Sequence, residues 1–310
     1  MTKKKKNLFL EKINTSDSKL IENECNDKES LQRNKTFNNL TAKEWARLSK
    51  PIWDDLSSPR NKFQMNHGAV FPVKLVERLL HMYSKVDDRI LDPFLGVGTT
   101  LIGCQNLRRN AIGIELNKEY ANIAKDWVES NYDLFNKRDD FCFKVVNDDC
   151  RNISKYIEKD TIQLTITSPP YADFIQRSLS DRENVHKKSI IKGENNSTIK
   201  QYSNDKNDFG NLEYQDFLKS IKHVLKENFK VTKKGGYSCW VVKDHRDTKN
   251  GIPYISFHSD LAKVAESVGW KNHDLIIWDQ SKQRRLILLG YPSVFYTNQN
   301  LSYIVILRKI

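Results

Sequence analysis

The sequence predicts an α/β fold: a doubly wound, mostly parallel sheet with helices on both faces. Three observations carry that expectation. Short β-rich runs alternate with longer runs of helical periodicity. A glycine-bearing turn joins the first of these strands directly to a helix, the context in which such a turn can cradle a ligand. Each of the first four strands of this alternation also carries a polar group at its carboxyl end, the edge where open α/β sheets bind ligands.

The elements follow in order. Residues 1–38 open with Lys3-Lys4-Lys5-Lys6 and stay polar, which reads as a basic, disordered arm that touches phosphate or is simply a solvated tail. Residues 39–310 read as the folded domain. Thr41 with Glu44 three residues on is a capping-box pattern, so a helix starts there, with Trp45 and Trp53 nearby as core residues. After His67-Gly68-Ala69-Val70-Phe71-Pro72, the spacing of Leu75, Leu79, Leu80 and Tyr83 predicts a helix beginning at or after Pro72. Arg89–Asp92 reads as the first strand of the alternation. It runs into Pro93-Phe94-Leu95-Gly96-Val97-Gly98-Thr99-Thr100 and then a helix over 101–107.

A second strand over 111–115 ends at Glu115, where an acidic group is placed to bind ribose hydroxyls. A helix over 117–132 presents Tyr120, Ile123, Ala124, Trp127 and Val128 on one face. A third strand over 141–146 ends at Asn147-Asp148-Asp149, where a carboxylate could accept a hydrogen bond from an adenine amino group. The fourth strand, 162–166, delivers Thr167-Ser168-Pro169-Pro170-Tyr171. Residues 172–211 are polar and break the pattern, as an insertion with a function or without order does. A helix over 214–229, a turn at Gly235-Gly236, a strand over 237–242, a helix over 258–268 and strands over 275–278 and 302–307 complete the chain. Seven sheet strands result.

Composition limits the partners. The 310 residues are 38% hydrophobic and 29% charged, enough for a core under a very polar surface. A net charge of +12 favours a polyanionic partner, although a lysine-rich background would give the same number. The five cysteines show no Cys-x-x-Cys spacing, which argues against a zinc site and fits a reducing, cytoplasmic setting. No apolar run approaches the ~20 residues of a membrane span, and the basic start lacks the apolar run of a signal peptide. Lys282, Arg284 and Arg285 are interleaved with aromatic residues between the last two strands. That suits nucleic acid, or a hairpin whose aromatics fill the core.

The Ser-Pro-Pro-Tyr stretch suggests its own chemistry. Two prolines fix φ and remove two backbone donors, so the segment presents carbonyls. Ser168 adds an acceptor and Tyr171 a flat face. A planar ring with an exocyclic amine fits such a cup, though by itself the tetrapeptide is also an ordinary turn.

Taken together, Asp92 to Thr100 and Thr167 to Tyr171 on consecutive strand ends resemble the S-adenosylmethionine-dependent, amino-directed DNA methyltransferases. Ser-Pro-Pro-Tyr resembles the cytosine-N4 branch. The resemblance covers about residues 63–310 and implies a class I, Rossmann-like methyltransferase domain. It implies Phe71, Asp92, Phe94, Gly96, Gly98 and Thr99 around the methionine part of the cofactor, with Pro93 in the same loop. Glu115 would hold the ribose, and Asp149, or less favourably Asp148, the adenine. Ser168, Pro169, Pro170 and Tyr171 would form the catalytic motif for a base flipped out of double-stranded DNA. A restriction–modification setting, with a cognate restriction endonuclease, is implied as well. Adenine N6 is the alternative target, and RNA an alternative substrate. Many relatives with this amino motif have the two motifs in the reverse order. Here the chain also stops after the seventh strand, so recognition is expected from residues 1–60, the 172–211 insertion or the 280–299 loop.

Overall fold

The computed structural model describes residues 37–56, 61–65, 70–131, 141–170, 208–247, 250–284 and 294–310. Residues 40–310 form one compact unit. The basic arm and residues 171–207 of the insertion, with Tyr171, lie outside the described residues, as do Arg285 and His67 to Ala69.

The capping box forms as the sequence predicts. The Glu44 carboxylate accepts the Thr41 N–H at 2.7 Å, and Thr41 Oγ1 accepts the Glu44 N–H at 3.3 Å, opening helix α1 (Ala42–Leu48). The Thr41 N–H first, and its hydroxyl at 2.8 Å as well, donate to the Glu44 carboxylate and hold it below its ordinary range. The two tryptophans part company. Trp53, in the two-residue strand β1 (Ile52–Trp53), is buried, whereas Trp45 is exposed and meets Tyr83 edge-on. No residue of α1 is buried, because the helix lies on the outside of the domain.

A single turn, α2 (Lys62–Met65), precedes α3 (Val73–Tyr83), which starts directly after Pro72 and buries Leu75, Leu79, Leu80 and Tyr83. The alternation then runs β2 (Arg89–Asp92), α4 (Thr99–Asn106), β3 (Asn110–Glu115), α5 (Lys118–Ser130), β4 (Phe143–Asn147), a 3₁₀ turn (Cys150–Lys155) and β5 (Ile162–Thr167). Helix α4 starts two residues earlier than expected, because Gly98 adopts φ +94° and caps it. Asn117 caps α5 by accepting the N–H groups of Glu119 and Tyr120.

A second 3₁₀ turn (Phe209–Asn211) corrects part of the insertion reading. Phe209 is buried in the core, so the polar stretch ends in a packed anchor. After it come α6 (Tyr214–Val231), β6 (Thr232–Val242), the hairpin β7 (His245–Asp247) and β8 (Ile252–Ile255), α7 (Phe257–Glu266), β9 (Lys271–Asp279) and β10 (Leu301–Arg308).

The sheet has the order β1-β9-β10-β6-β5-β2-β3-β4. All seven expected strands are in it, with β1 added beside β9. Neighbours are parallel except at β10, which is antiparallel to β6 and β9. One core layer, on α3, α4 and α5, includes Leu79, Leu101 and Trp127. The other, on α6 and α7, includes Phe217, Ile221 and Phe257. The chain winds outward from β2 to β4 on one side and returns through β5 on the other. The β2–β5 boundary is therefore the topological switch point, the place at the carboxyl edge where open α/β sheets bind ligands.

Strand β5 is buried on both faces, as a central parallel strand must be. The buried hydroxyl of Thr165 in mid-strand is satisfied: Thr165 Oγ1 donates to Asn228 Oδ1 at 2.8 Å, and Asn228 Nδ2 donates to Ser238 Oγ at 2.8 Å. The turn expected at Gly235-Gly236 is instead a bulge inside β6. Ile162 pairs with Thr232 and Leu164 with Tyr237, so β6 spends extra residues there. Gly235 has φ +82°, and a Cβ on Gly236 would sit 2.9 Å from the carbonyl oxygens of Gln163 and Lys233. Backbone cannot move aside cheaply. Gly236→Ala is therefore expected to destabilise the domain by about 1–3 kcal/mol. A denaturant titration showing an unchanged midpoint would contradict this reading of the bulge.

Candidate active site

The switch point gathers the carboxyl ends of β2 and β5, and Asp92 ties them together. Asp92 is 2% exposed. Its Oδ1 accepts Thr167 Oγ1 at 2.7 Å and the Phe94 N–H at 3.1 Å, while Oδ2 accepts Thr100 Oγ1 at 2.6 Å. One carboxylate thus links the end of β2, the first turn of α4 and the residue preceding Ser168. Burial pushes its carboxyl up to about 6, against the opposing effect of these bonds.

The glycine loop is fixed from the next strand. Glu115, at the end of β3, accepts the Gly96 N–H at 2.7 Å and the Asn117 N–H at 2.8 Å. Its carboxyl is pushed up to about 7, chiefly by burial, with Asp92 and Asp208 adding to the rise. Glu115 still keeps part of its surface open. Gly96 takes φ +55° and Gly98 φ +94°, and a Cβ on Gly98 would lie 2.9 Å from Ala124 Cβ. Both conformations favour glycine, and the second position is also closed by packing on α5.

Around this centre the other expected residues take distinct places. Phe94 is held edge-on by Phe209, 5.4 Å away, and by Trp240, 6.2 Å away. Thr99 is buried, and Phe71 packs against the core beside α3. Gln64 joins these two: its Nε2 donates to the Phe71 carbonyl and to Thr99 Oγ1, each at 3.4 Å. Pro93 lies in the turn between Asp92 and Phe94.

Asp149 caps the first 3₁₀ turn and accepts the Arg151 N–H at 2.8 Å and Arg151 Nε at 3.0 Å. Asp148 faces elsewhere, accepting Tyr156 Oη at 2.7 Å and Asn152 Nδ2 at 3.0 Å, and the Tyr156 bond lowers its carboxyl. Ser168 and Pro170 are half-buried and Pro169 is buried. Lys282 is exposed and pairs with Asp54, an interaction that raises its ammonium. Arg284 is exposed at the end of the same turn. Both follow β9, whose carboxyl end shares an edge with that of β6, because β10 runs antiparallel to each.

Sequence reasoning gave no role to Gln64, Thr100, Asn147 or Asp208. Asn147 Nδ2 donates to the carbonyls of Glu115 and Leu116 at 2.8 and 2.9 Å, which fixes the chain after β3. Asp208 is 5% exposed and caps the Phe209 turn. Thr100 and Asp208 stand beside residues that were read, yet nothing in their spacing shows that they meet Asp92 or raise Glu115.

The raised carboxyls give a signed pH dependence. The folded protein holds protons on Asp92 and Glu115 at pH values where the unfolded chain has lost them. That stability is present below about pH 4 and is lost as pH rises through about 6 and 7. Glu115→Gln lacks the titration, so its urea midpoint should gain on the wild type between pH 5 and 8. Parallel profiles would rule out a raised Glu115.

Both motifs lie inside the region that a family profile matches. The N6_N4_Mtase profile, described as DNA methylase, matches residues 1–126 and 162–309. Among curated proteins the chain is similar to the type II methyltransferase M.HpaI of Haemophilus parainfluenzae, 38% identical over 88 residues. It is also similar to M.BglI of Bacillus subtilis, 37% identical over 101 residues. These matches cover 28% and 32% of this chain and span only 28% of each relative's length. Of solved structures, a SAM-dependent methyltransferase from Methanosarcina mazei aligns with a TM-score of 0.44 and 14% identity, over 75% of this chain and 97% of that one. The profile spans most of the sequence, and the chain belongs to the N6_N4_Mtase family of DNA methylases.

Proposed function

We propose that the protein methylates the exocyclic N4 amine of cytosine in DNA, with S-adenosylmethionine as methyl donor. The observation that supports this most is the Thr167–Asp92 hydrogen bond. It keeps Ser168 and Pro169 beside the glycine loop, so the group that holds an amine and the loop that holds a cofactor share one crevice. The donor set also fits the cofactor. Asp92 and Asp208 both add to the rise of the Glu115 carboxyl, so the three acidic groups lie within electrostatic reach of one another. Such a grouping suits a ligand with cationic centres and hydroxyl donors.

In this reading Glu115 accepts the ribose hydroxyls with the surface that Gly96 and Asn117 leave open. Asp149, shared with Arg151, accepts from the adenine amine. Gly96 and Gly98 let the backbone approach the methionine part, beside Phe71, Pro93, Phe94 and Thr99. When bound, the cofactor supplies an electrophilic methyl on a positively charged sulfur.

The chain's own task is to make a poor nucleophile competent. The amine lone pair is delocalised into the ring. Acceptors at Ser168 Oγ and the Pro169 carbonyl draw its hydrogens out of the ring plane and aim the nitrogen at the methyl. Once methylated, the amine would lose its surplus proton to water. Pro170 keeps the motif rigid, and Tyr171 offers a stacking face to the flipped base. Serine is a weaker acceptor than Asp or Asn, and a serine at this place in the motif fits cytosine N4 over adenine N6 by resemblance to that branch. Lys282, Arg284 and Arg285 are assigned to the DNA backbone. A cognate restriction endonuclease and action on cytoplasmic DNA belong to the same reading, supported by the type II names of M.HpaI and M.BglI.

Two measurements test it. Glu115→Ala is expected to weaken cofactor binding strongly, since each hydrogen bond to a charged acceptor contributes about 1.5–3 kcal/mol. Calorimetry finding equal affinity would remove the ribose assignment. Ser168→Ala is expected to retain cofactor and DNA binding while kcat falls by roughly 10²-fold or more, because the contact strengthens as charge develops on nitrogen. A fully active variant would sink the catalytic role. Mass spectrometry of digested product DNA should show N4-methylcytosine; N6-methyladenine there would overturn the choice of base, and methyl transfer to RNA alone the choice of polymer.

A further inference from the structure

The carboxyl edge carries a second built feature that methyl transfer does not use. Beyond β6 the chain passes through Asp244 into the β7–β8 hairpin and returns to α7. Asp244 is 2% exposed. It accepts Tyr254 Oη at 2.6 Å, the His258 N–H at 3.1 Å and His258 Nδ1 at 2.8 Å. A single buried carboxylate therefore pins both the returning strand and the first turn of α7. The His258 ring in turn stacks on Tyr303 of β10, with centroids 4.1 Å apart.

The hairpin is also fastened to the segment that leads into β10. The Arg246 guanidinium lies 4.7 Å above the Tyr296 ring, and its Nη2 donates to the Thr297 carbonyl at 3.1 Å. Hairpin and segment thus form one braced rim. Strand register locates it: Thr167 pairs with Trp240, and Val242 with Tyr303. The rim accordingly rises from the edge where Ser168 stands, two strands along the sheet. Several of its exposed residues are large and apolar. Ile252 is 42% exposed, Tyr254 48%, Val294 46% and Phe295 78%.

Exposed aliphatic and aromatic residues on a braced rim, next to an arginine and beside the edge where Ser168 stands, mark a docking surface. The occupant must reach the same edge as the target amine, and it must suit a chain of net charge +12. We propose that this rim packs against the DNA duplex flanking the flipped base, its apolar tips meeting sugars and partly unstacked bases in the opened groove. The inference rests on DNA being the substrate. Apolar contact of this kind favours distorted DNA without neutralising phosphate. Its signature is a change in affinity at constant salt dependence.

The test uses the full chain carrying Ile252→Ser and Phe295→Ser, with duplex DNA of a sequence the wild type modifies. KM for that duplex should rise at least tenfold. The slope of log Kd against log salt, the cofactor affinity and the urea midpoint should stay as in the wild type. Phe295→Ser alone, at a side chain 78% exposed, serves if the double variant does not fold, with a smaller rise in KM expected. Wild-type KM in either folded variant would overturn the proposal. So would a wild-type dimer in sedimentation that the variant converts to monomer while DNA affinity persists, because the rim would then belong to a second copy of the chain. A smaller salt slope in the variant would overturn it as well, since the contact would be to phosphate. These outcomes leave DNA methylation intact. A wild-type protein that transfers methyl groups to no DNA would remove the substrate reading, and this one with it.

Discussion

Everything at the carboxyl edge depends on one buried carboxylate. Asp92 accepts hydrogen bonds from Thr167, Thr100 and the Phe94 amide, and these come from β5, α4 and the turn after β2. Parallel strands separated by long crossovers have no short connection to fix their ends relative to one another. The Asp92 bonds supply that link across the switch point. The cost is visible in the same residue: burial pushes its carboxyl up, and only the three donors hold it toward the ionised form.

The same tension recurs at Glu115, where two backbone amides oppose burial and two nearby aspartates. Three acidic groups held close in a partly desolvated crevice destabilise the protein on its own. Such an arrangement persists where a ligand of opposite charge relieves it, which is the usual relation between strain and function at a binding site. The glycine loop shows this relation in steric form. Gly98 takes a left-handed φ and lies against Ala124, so backbone occupies the space where a side chain would otherwise keep a ligand away.

The edge extends past the crevice. Asp244 does for the hairpin what Asp92 does for the motifs, fixing separate segments through one buried acceptor. Lys282 lies at the same edge but is engaged by Asp54, an exposed pair of small energetic weight. Electrostatic attraction is thus spread over the net charge of the chain, while shape at this edge comes from braced, uncharged tips. The two act over different distances: charge beyond a Debye length is screened, and packing acts only at contact.

The sequence by itself determined the layers, the succession of strands and helices along the chain, and both motifs. Those depend on local rules: strand runs of five or six residues, the Thr41–Glu44 box, the proline before α3, and glycines between a strand and a helix. It also marked Glu115 and Ser168, because a strand end is a defined place once the strand is read. Only the tertiary structure decided which partners those residues have. Gln64 bridges Phe71 and Thr99, and Thr167 reaches Asp92 across 75 positions, through contacts no periodicity encodes. It likewise turned the Gly235-Gly236 turn into a bulge, left Trp45 in solvent while burying Trp53, and packed Phe209 beneath the glycine loop. The physical reason is common to these cases. Hydrophobic period and turn chemistry act along a few residues of chain, whereas a buried polar group is satisfied by whatever the completed fold brings within about 3 Å.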